Sequence, residues 1–410
     1  MQLKRVVITG MGVVSPFGRG VDSLMEALVA GRSGVVTVPE LAEIKGMRSL
    51  VAALVSGIDP KEIPRKFRRS MSSMSVFATL ASHDAAAQAG LNETHFTSGR
   101  MGVSIGSTVG SPRTMEEFFK DYLADQSLER MKSTLFFHIM NHSCAANVAQ
   151  TLGITGRILA PAAACSTSCQ AVGYAAEMIA MGKQDMMLCG GADEFHPLTA
   201  ATFDIMNAAS INFNDRPAKT PRPFDRDRDG VVCAEGSGIL LLESLDSALG
   251  RNADILAELI GFATISDPAS IANPNSASIE ECMRAALADA AIPAAEIDYV
   301  NAHATATELG DIAESEAIFR IFGDRVPTSS LKGHMGHAMA ASGTLELAAS
   351  IEMMRRGILI PTLNLDHIDP SCGSIRHVRE VTPRPVTTVI KNNFALGGVN
   401  SSIILRRYPQ

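Results

Sequence analysis

The sequence has 410 residues, of which 46% are hydrophobic and 19% are charged, and its formal net charge at pH 7 is −7. A chain of this length exceeds one ordinary domain and can bury a large core, and so apolar a composition also favours an oligomer. The acidic net charge argues against nucleic-acid binding, and no apolar run approaches the roughly 20 residues of a membrane helix.

The N-terminus and the cysteines indicate where the protein works. Residues 1–5 lead straight into the strand-like run Val6-Val7-Ile8-Thr9, so we expect no signal peptide. The seven cysteines lack paired spacing, which is typical of reduced thiols in the cytoplasm. No Cys-x-x-Cys pair occurs, and we expect no metal site.

The first hundred residues predict an alternation of strands and helices. Gly10-Met11-Gly12 follows an apolar strand, but Ser15 stands where a dinucleotide-binding fingerprint needs its third glycine, so that function is rejected. The basic segment Pro60–Arg69 has, by itself, the pattern of a solvated charged face. The predicted helices of this region are residues 21–30 and 70–90, and the predicted buried strand is residues 101–106.

Residues 157–182 place a cysteine between a short apolar strand and an Ala-rich helix. The unpaired N–H groups and the positive dipole end at a helix start favour a thiolate at Cys165, and these N–H groups could also hold an oxyanion. A lone cysteine in a packed turn is more often a small structural residue. Cys165 therefore needs partners elsewhere in the chain to be read as a nucleophile.

A charged loop follows the next predicted strand, residues 185–193. Asp225, Asp227 and Asp229 alternate in this loop as they do in an EF-hand. Arginines stand between them, and the glutamate that an EF-hand needs at a later position is absent. These features argue against a calcium site.

The remaining chain, from about residue 252, again alternates strands with helices, which favours an α/β fold. The predicted helices are residues 278–291, 308–322 and 343–356, and the predicted strands are residues 297–301, 326–331, 387–391 and 401–406.

Two histidine segments and a glycine-rich loop supply the partners that Cys165 needs. They are Val300-Asn301-Ala302-His303-Ala304-Thr305-Ala306-Thr307, Lys332-Gly333-His334-Met335-Gly336-His337 and Asn392–Asn400. A cysteine with histidines brought near it by the fold is a common arrangement for covalent acyl chemistry. Together with Arg222–Gly230, these motifs resemble, over nearly the whole chain, the β-ketoacyl-acyl carrier protein synthases, which are elongating condensing enzymes of the thiolase superfamily.

The resemblance implies a thiolase-like α/β fold in which two similar βαβ-type halves form a layered αβαβα core. Residues 1–250 would form the half with the nucleophile, and residues 251–410 the half with both catalytic histidines. The implied activity is an acyl transfer in which malonyl-acyl carrier protein is decarboxylated and joined to a cysteine-bound acyl chain, in fatty-acid or type II polyketide or polyene synthesis. No separate cofactor is implied, because the substrates ride on the phosphopantetheine arm of the carrier protein.

The resemblance also implies partners and catalytic roles. The partners are acyl carrier protein and a second copy of the chain, with a ketosynthase-like heterodimer partner as the alternative. Cys165 is the implied nucleophile, and its backbone N–H and that of Leu396 form the oxyanion hole. His303 and His337 would stabilise the enolate as neutral hydrogen-bond donors.

Lys332 matches a lysine that the family carries five residues before the second histidine. A buried lysine needs a carboxylate partner, and Glu314 is the candidate. His334 is off the catalytic position and is expected to be structural. By the same resemblance, Asp311 and Phe394 support the site, and Thr305 and Thr307 either bind the phosphopantetheine arm or cap the following helix. The candidates for carrier-protein docking are Lys66, Arg68 and Arg69. The candidates for lining the acyl pocket are Val109, Phe136 or Phe137, and Phe203.

Departures from the family pattern bear on the substrate. Leu396 stands where the usual fatty-acid enzymes have a second phenylalanine that gates the acyl pocket, and Ala304, Ala306, Ala395 and Val399 also replace the usual residues. Leucine is smaller than phenylalanine and has no flat ring, so the gate of the acyl pocket is altered. This leads to the hypothesis that the acyl chain differs from a plain saturated one and is, for example, a polyene or an aryl-primed intermediate.

Three related functions fit the sequence less well. A chain-length factor, which is a ketosynthase-like partner without a nucleophile, is opposed by the presence of Cys165 and both histidine motifs. A thiolase needs a second cysteine near the C-terminal glycine loop, and none lies between Lys391 and Gln410. An initiating ketosynthase uses Cys, His and Asn, whereas this chain has His337 at the third position.

Overall fold

A 12-stranded mixed sheet runs through the protein. The structure, a computed structural model, describes residues 3–129 and 131–409. The strands are β1 (Val6–Ser15), β2 (Gly18–Arg19), β3 (Val35–Thr37), β4 (Val51–Ala53), β5 (Met101–Gly106), β6 (Ile158–Leu159), β7 (Met186–Asp193), β8 (Gly236–Ser244), β9 (Ala257–Ser266), β10 (Tyr299–Asn301), β11 (Pro327–Ser329), β12 (Ile358–Leu359), β13 (Arg376–His377), β14 (Thr382–Pro383), β15 (Thr388–Ala395) and β16 (Val399–Arg406).

Helices cover the sheet, and none of the described helices is long and apolar enough to cross a membrane. Short 3-10 turns, Ala164–Ser166 and Met339–Ala341, precede α9 and α15. The helices are α1 (Val21–Val29), α2 (Pro39–Ala42), α3 (Arg65–Arg68), α4 (Ser73–Gln88), α5 (Glu93–Phe96), α6 (Pro112–Asp125), α7 (Ser133–Ile139), α8 (Ser143–Leu152), α9 (Thr167–Ala180), α10 (Pro197–Ile205), α11 (Leu245–Gly250), α12 (Ser276–Asp289), α13 (Glu308–Phe322), α14 (Lys332–Met335) and α15 (Ser342–Arg356).

The order of the strands shows an internal duplication. One half of the sheet has the order β1-β8-β7-β5-β6, and the other has β9-β16-β15-β10-β11 with β13 beyond it. In each half the first two pairings are antiparallel and the next two are parallel. The halves join through the antiparallel pair β1 and β9. The two similar halves that the resemblance implied are therefore present.

The helices are arranged in layers that follow the same duplication. Helices α4 and α8 pack on the outer face of the first half, whereas α12 and α13 pack on the outer face of the second half. Helices α9 and α15 lie between the two halves and share one buried cluster. A Cβ added at Gly343 would lie 2.7 Å from Cys169 Sγ, so the small residue lets α15 approach α9 closely.

Most predicted elements occur, with three differences in extent. The helix predicted over residues 70–90 begins only at Ser73, and α3 is a separate turn before it. The strand before Cys165 is only two residues long. Strand β15 continues to Ala395, so Asn392–Ala395, assigned to the glycine-rich loop, lie in the sheet. This extension places two buried polar side chains, Asn392 and Asn393, in the strand.

Candidate active site

Cys165 lies in the turn that starts helix α9. Ala164, before it, has a φ of 45°, and Met339, at the equivalent turn before α15, has the same φ. The hydroxyl of Ser166 donates to the backbone oxygens of Asn393 and Val399, 3.0 and 2.7 Å away. The turn of the first half is thus tied to strands β15 and β16 of the second half.

The fold brings both predicted histidines to the thiol. His337 Nε2 lies 2.9 Å from Cys165 Sγ. The rings of His303 and His337 are nearly perpendicular, with centroids 5.3 Å apart. The sulphur of Cys165 and one ring nitrogen each of His303 and His337 all lie within 4.8 Å of one another. His303 follows β10 directly, and the backbone of His337 is held by hydrogen bonds to Val232 and Ala234.

Burial dominates the protonation of the thiol. It raises the pKa of Cys165 to about 11, while Lys332 and hydrogen bonds from the backbone of Cys165 and Leu396 act in the opposite direction. Burial therefore opposes the thiolate that the helix start is expected to favour, and the preference for a thiolate at Cys165 stays a prediction. The backbone N–H groups of Cys165 and Leu396 both lie beside the sulphur, so the oxygen of an acyl group bound there would form close to them.

Both histidines are held in their neutral form. Burial lowers the pKa of His303 and of His337 well below the usual value, and the ammonium groups of Lys332 and Lys391 lower both further. A neutral imidazole can donate a hydrogen bond to a developing negative charge without first losing a proton. His303 and His337 can therefore act as two neutral hydrogen-bond donors beside the Cys165 thiol.

The buried partner of Lys332 is Glu346, which the sequence reading missed. Lys332 Nζ lies 2.6 Å from Glu346 Oε1. The expected pairing with Glu314 is wrong, because the two carboxylate oxygens of Glu314 accept the backbone N–H groups of His303 and Ala304 at 2.9 and 2.7 Å. Glu314 therefore fixes the histidine loop. Glu346 lies between Leu345 and Leu347 in the buried part of α15, and a lone charge among these apolar neighbours was the available signal.

Two further buried residues of β15 were also missed. Asn393 Nδ2 donates to Cys165 O at 2.8 Å and to Ser342 Oγ at 3.1 Å, and it lies 3.5 Å from His303 Nδ1. Lys391 is fully buried, and its ammonium group is 2.7 Å from Glu346 Oε2. The run of three polar residues Lys391-Asn392-Asn393, between apolar residues of the strand, was the sequence signal for both.

The other predicted support residues hold the loops beside the site. Asp311 accepts backbone N–H groups from Phe224 and Ala306, so it joins the charged loop to the first histidine loop. Arg228 of the charged loop pairs with Asp369 at 2.5 Å. Burial raises the pKa of Asp311 to about 7. The loop that resembles an EF-hand is thus held by arginine–aspartate pairs.

A cavity of about 140 Å³ opens beside Cys165. Thr305 and Thr307 line it with hydroxyl groups 3.3 Å apart, and Thr307 makes no side-chain cap on α13. Of the candidate acyl-pocket residues, Phe203 lines this cavity, whereas Val109 and Phe136 are exposed and Phe137 is half-buried in the single chain. The lining includes His303, His337, Phe394 and Leu396.

The residues predicted to dock a carrier protein lie on the surface at α3. Lys66 and Arg69 are exposed and border a groove that also contains Phe137 and Gln150. Arg68 is half-buried and donates to two backbone carbonyls, those of Pro60 and Ile63, so it is less available.

His334 lies outside the cysteine–histidine cluster. Its ring nitrogens face the backbone oxygens of Arg32 and Pro361, 3.2 and 3.1 Å away. These contacts agree with the structural role expected from its position in the motif.

The cysteine–histidine cluster does not fit a metal ion well. A histidine that binds a metal usually donates its other ring N–H to an acceptor. Within residues 3–129 and 131–409, His337 Nδ1 has no hydrogen-bond partner, and the group near His303 Nδ1 is the side-chain nitrogen of Asn393. The surroundings of both imidazoles therefore differ from those of metal-binding histidines and fit neutral rings that interact with the Cys165 thiol.

Comparisons with known proteins agree with this geometry. Residues 3–248 match the model of the β-ketoacyl synthase N-terminal domain, and residues 256–366 match that of the C-terminal domain. The chain is 36% identical to 3-oxoacyl-[acyl-carrier-protein] synthase 1 of Escherichia coli K12, over 99% of both chains.

Two solved structures show the same fold. A β-ketoacyl synthase from Burkholderia phymatum is 43% identical, with a TM-score of 0.96 over 99% of this chain and 100% of that one. A ketosynthase solved with its type II polyketide acyl-carrier protein is 30% identical, with a TM-score of 0.91 over 100% of both chains. Solved ketosynthases have the thiolase fold, so the predicted fold class is confirmed.

Proposed function

This chain belongs to the β-ketoacyl synthase family, and we propose that Cys165, His303 and His337 carry out its condensation reaction on acyl chains delivered by acyl carrier protein. The protein is a condensing enzyme of the acyltransferase class. The observation that carries the assignment of residues is the contact of 2.9 Å between His337 Nε2 and Cys165 Sγ in a cavity that His303 also lines.

The first step transfers the acyl group to the enzyme. The sulphur of Cys165 attacks the acyl thioester, and the carbonyl oxygen becomes an oxyanion that the backbone N–H groups of Cys165 and Leu396 stabilise. The thioester to the carrier's phosphopantetheine arm breaks, and the released thiolate takes up the proton that the thiol loses. His337, in contact with the sulphur, is the group placed to pass that proton on.

The second step removes carbon dioxide from the malonyl group and leaves an enolate. The N–H groups of neutral His303 and His337 donate to the enolate oxygen, which requires no charged acid. The enolate carbon then attacks the Cys165 thioester, the bond to sulphur breaks, and the departing sulphur takes up one proton from water, which restores the thiol. The product is a β-ketoacyl chain two carbons longer, on the carrier.

The carrier protein would approach from the surface and insert its arm into the cavity. Thr305 and Thr307 offer hydroxyl groups to the amides of the phosphopantetheine arm. Lys66 and Arg69 are exposed cations for the acidic carrier surface, with Arg68 in a lesser role. The ketosynthase neighbour solved with its carrier protein supports this choice of partner. No separate cofactor takes part.

Leu396 supports a substrate other than a plain saturated chain. It lines the cavity and is partly exposed, so its side chain borders the path to Cys165. Leucine leaves more room there than the phenylalanine of the usual fatty-acid enzymes. We therefore keep a conjugated acyl chain, in a polyene or polyketide pathway, as the substrate hypothesis.

The assembly and location belong to the same proposal. Residues 1–250 and 251–410 are proposed as its two thiolase-like halves, supported by the duplicated strand order. A homodimer is the proposed assembly, with a ketosynthase-like partner as the alternative. The cytoplasm is the proposed location, because all seven cysteines are free thiols, as is usual in a reducing compartment.

The decisive experiment is mass spectrometry of the purified protein after incubation with a panel of acyl-carrier proteins, followed by malonyl-carrier protein. We expect Cys165 to gain the acyl group and the product to gain a two-carbon β-keto unit. Cys165→Ala should gain nothing. If no donor acylates the wild type, the chain works only as a partner subunit, as a chain-length factor does, and capture of its missing subunit would follow.

A further inference from the structure

Glu346 lies between two buried ammonium groups. Its Oε1 is 2.6 Å from Lys332 Nζ and its Oε2 is 2.7 Å from Lys391 Nζ, and all three side chains are fully buried. Lys332 belongs to the second histidine motif, whereas Lys391 lies on β15, two residues from Asn393. One carboxylate therefore faces two cations, and both cations act on the two histidines of the site.

The second cation is not needed to neutralise Glu346. Lys332 alone would pair with that carboxylate, and among the described residues neither lysine forms an ion pair with Glu314. Lys391 otherwise donates to the backbone oxygen of its neighbour Asn392 at 2.5 Å. Burying an extra ammonium group costs free energy. A core built only for stability would favour an apolar residue at position 391.

The extra charge acts on the two histidines. Lys332 and Lys391 each lower the pKa of His303 and of His337, in addition to the larger effect of burial. Both lysines also act on Glu314, whose oxygens hold the His303 loop. Cys165 contacts His337, and the other titratable groups coupled to Cys165 or to the two lysines are Cys169, Cys233, Asp193, Glu314 and Glu346.

We propose that Lys391 is a second positioning residue of the condensation site, whose ammonium group, shared with Lys332 across Glu346, maintains a positive potential behind His303 and His337. This potential adds to the larger effect of burial in keeping both rings uncharged, so that their N–H groups remain donors of ordinary hydrogen bonds. It also favours the negative charge that forms on the enolate oxygen. The effect on the enolate depends on the proposed function, whereas the effect on the His303 and His337 rings depends only on where the buried charges lie.

Lys391→Met tests the proposal, because it removes the charge, keeps an unbranched side chain and leaves Glu346 paired with Lys332. We expect kcat for condensation to fall about tenfold with KM nearly unchanged, since a buried charge is worth about one order of magnitude here. Loss of the cation favours protonated imidazole and thiol. The acid limb of kcat and the pH profile of Cys165 alkylation by iodoacetamide should therefore both move to higher pH.

Two further variants keep the test decisive. Lys391→Gln is a second uncharged variant that can still hydrogen-bond Glu346, and it is used where Lys391→Met does not fold. Ile390→Met changes buried packing in the same strand without changing charge. Circular dichroism and thermal unfolding check the folded state of each variant.

The outcomes separate the proposal from the proposed function. Wild-type pH profiles, with kcat within about twofold, in both uncharged variants would overturn the role of Lys391. So would an equal shift in Ile390→Met, because packing would then be the cause. If the wild type is alkylated at Cys165 but condenses no substrate, the proposed function fails, and the alkylation profiles still decide whether Lys391 sets the potential.

Discussion

The side-chain amide of Asn393 donates a hydrogen bond to the backbone oxygen of Cys165 over 2.8 Å. Asn393 belongs to strand β15 of the second half, whereas Cys165 belongs to the turn before α9 in the first half. The same nitrogen lies 3.5 Å from His303 Nδ1. One buried side chain thus fixes the nucleophile relative to a histidine across the boundary between the two halves.

Asn393→Ala should therefore reduce both stability and catalysis. It leaves the oxygen of Cys165 without this donor, and we expect the free energy of unfolding to fall by about 1–3 kcal/mol. We expect kcat/KM for condensation to fall at least about tenfold, because the distance between sulphur and imidazole is no longer fixed. Urea denaturation and steady-state kinetics measure the two effects.

Asn364→Ala is the matched control for this variant. Asn364 is also buried and donates to two backbone oxygens, those of Ala218 and Pro221, away from the cysteine–histidine cluster. It should lose stability while keeping kcat/KM. Equal losses of activity in the two variants would show that Asn393 acts through stability alone.

Substitutions of His303 and His337 should affect the two half-reactions, acylation and decarboxylation, to different extents. His337 contacts the sulphur at 2.9 Å, whereas His303 is held by Glu314 and faces the cavity. We expect His303→Ala to keep acylation of Cys165 but to release carbon dioxide from malonyl-carrier protein at least about 100-fold more slowly. His337→Ala should impair both steps. Intact-protein mass spectrometry and a carbon dioxide assay distinguish them, and equal loss of acylation in both variants would contradict this division.

The stability of the protein should fall in mild acid, and His377 provides the test. Burial lowers the pKa of His377 to about 4. The unfolded histidine binds a proton below about pH 6.5, so between these two values the unfolded state binds more protons and unfolding becomes easier. The contribution is complete above pH 6.5 and is lost as the pH falls towards 4. Its slope is at most about 1.4 kcal/mol per pH unit.

Urea denaturation at pH 7.5, 6 and 5 measures this slope. His377→Gln cannot titrate, so its free energy of unfolding should depend less steeply on pH than that of the wild type. His142→Gln replaces an exposed histidine and should follow the wild type. Parallel curves for the wild type and His377→Gln would show that burial of His377 does not affect acid stability.

Reversal of the exposed charges at α3 should weaken binding of the carrier protein without affecting the chemistry. Lys66→Glu with Arg69→Glu is expected to raise KM for acyl-carrier protein about tenfold at low salt, and the effect should shrink as salt screens the charges. Acylation of Cys165 from a small acyl thioester should stay unchanged. Arg325→Glu, at another exposed site, is the control. An unchanged KM for the carrier protein would remove this surface from the proposal.

How far the sequence predicts the site depends on where each residue lies. Cys165, His303 and His337 stand in motifs beside helix starts and strand ends, where the pattern carries chemical meaning. Glu346 and Lys391 occur inside a helix and a strand, and their charges are compensated by residues distant in sequence, since Glu346 pairs with both Lys332 and Lys391. Periodicity cannot show such long-range pairs, and it equally cannot show the duplicated strand order, which depends on pairing between distant segments.

Leu396→Phe tests the substrate hypothesis at the cavity mouth. A phenyl ring there should narrow the path to Cys165, since Leu396 lines the cavity beside Phe394. If the wild type accepts conjugated chains because this path is open, the variant should transfer saturated chains at nearly the wild-type rate and conjugated chains about tenfold more slowly. Acyl-enzyme formation, followed by mass spectrometry with saturated and conjugated acyl-carrier proteins of equal length, measures the ratio. Equal wild-type rates for both donors would remove the hypothesis, because the departure at Leu396 would then have no effect on selection.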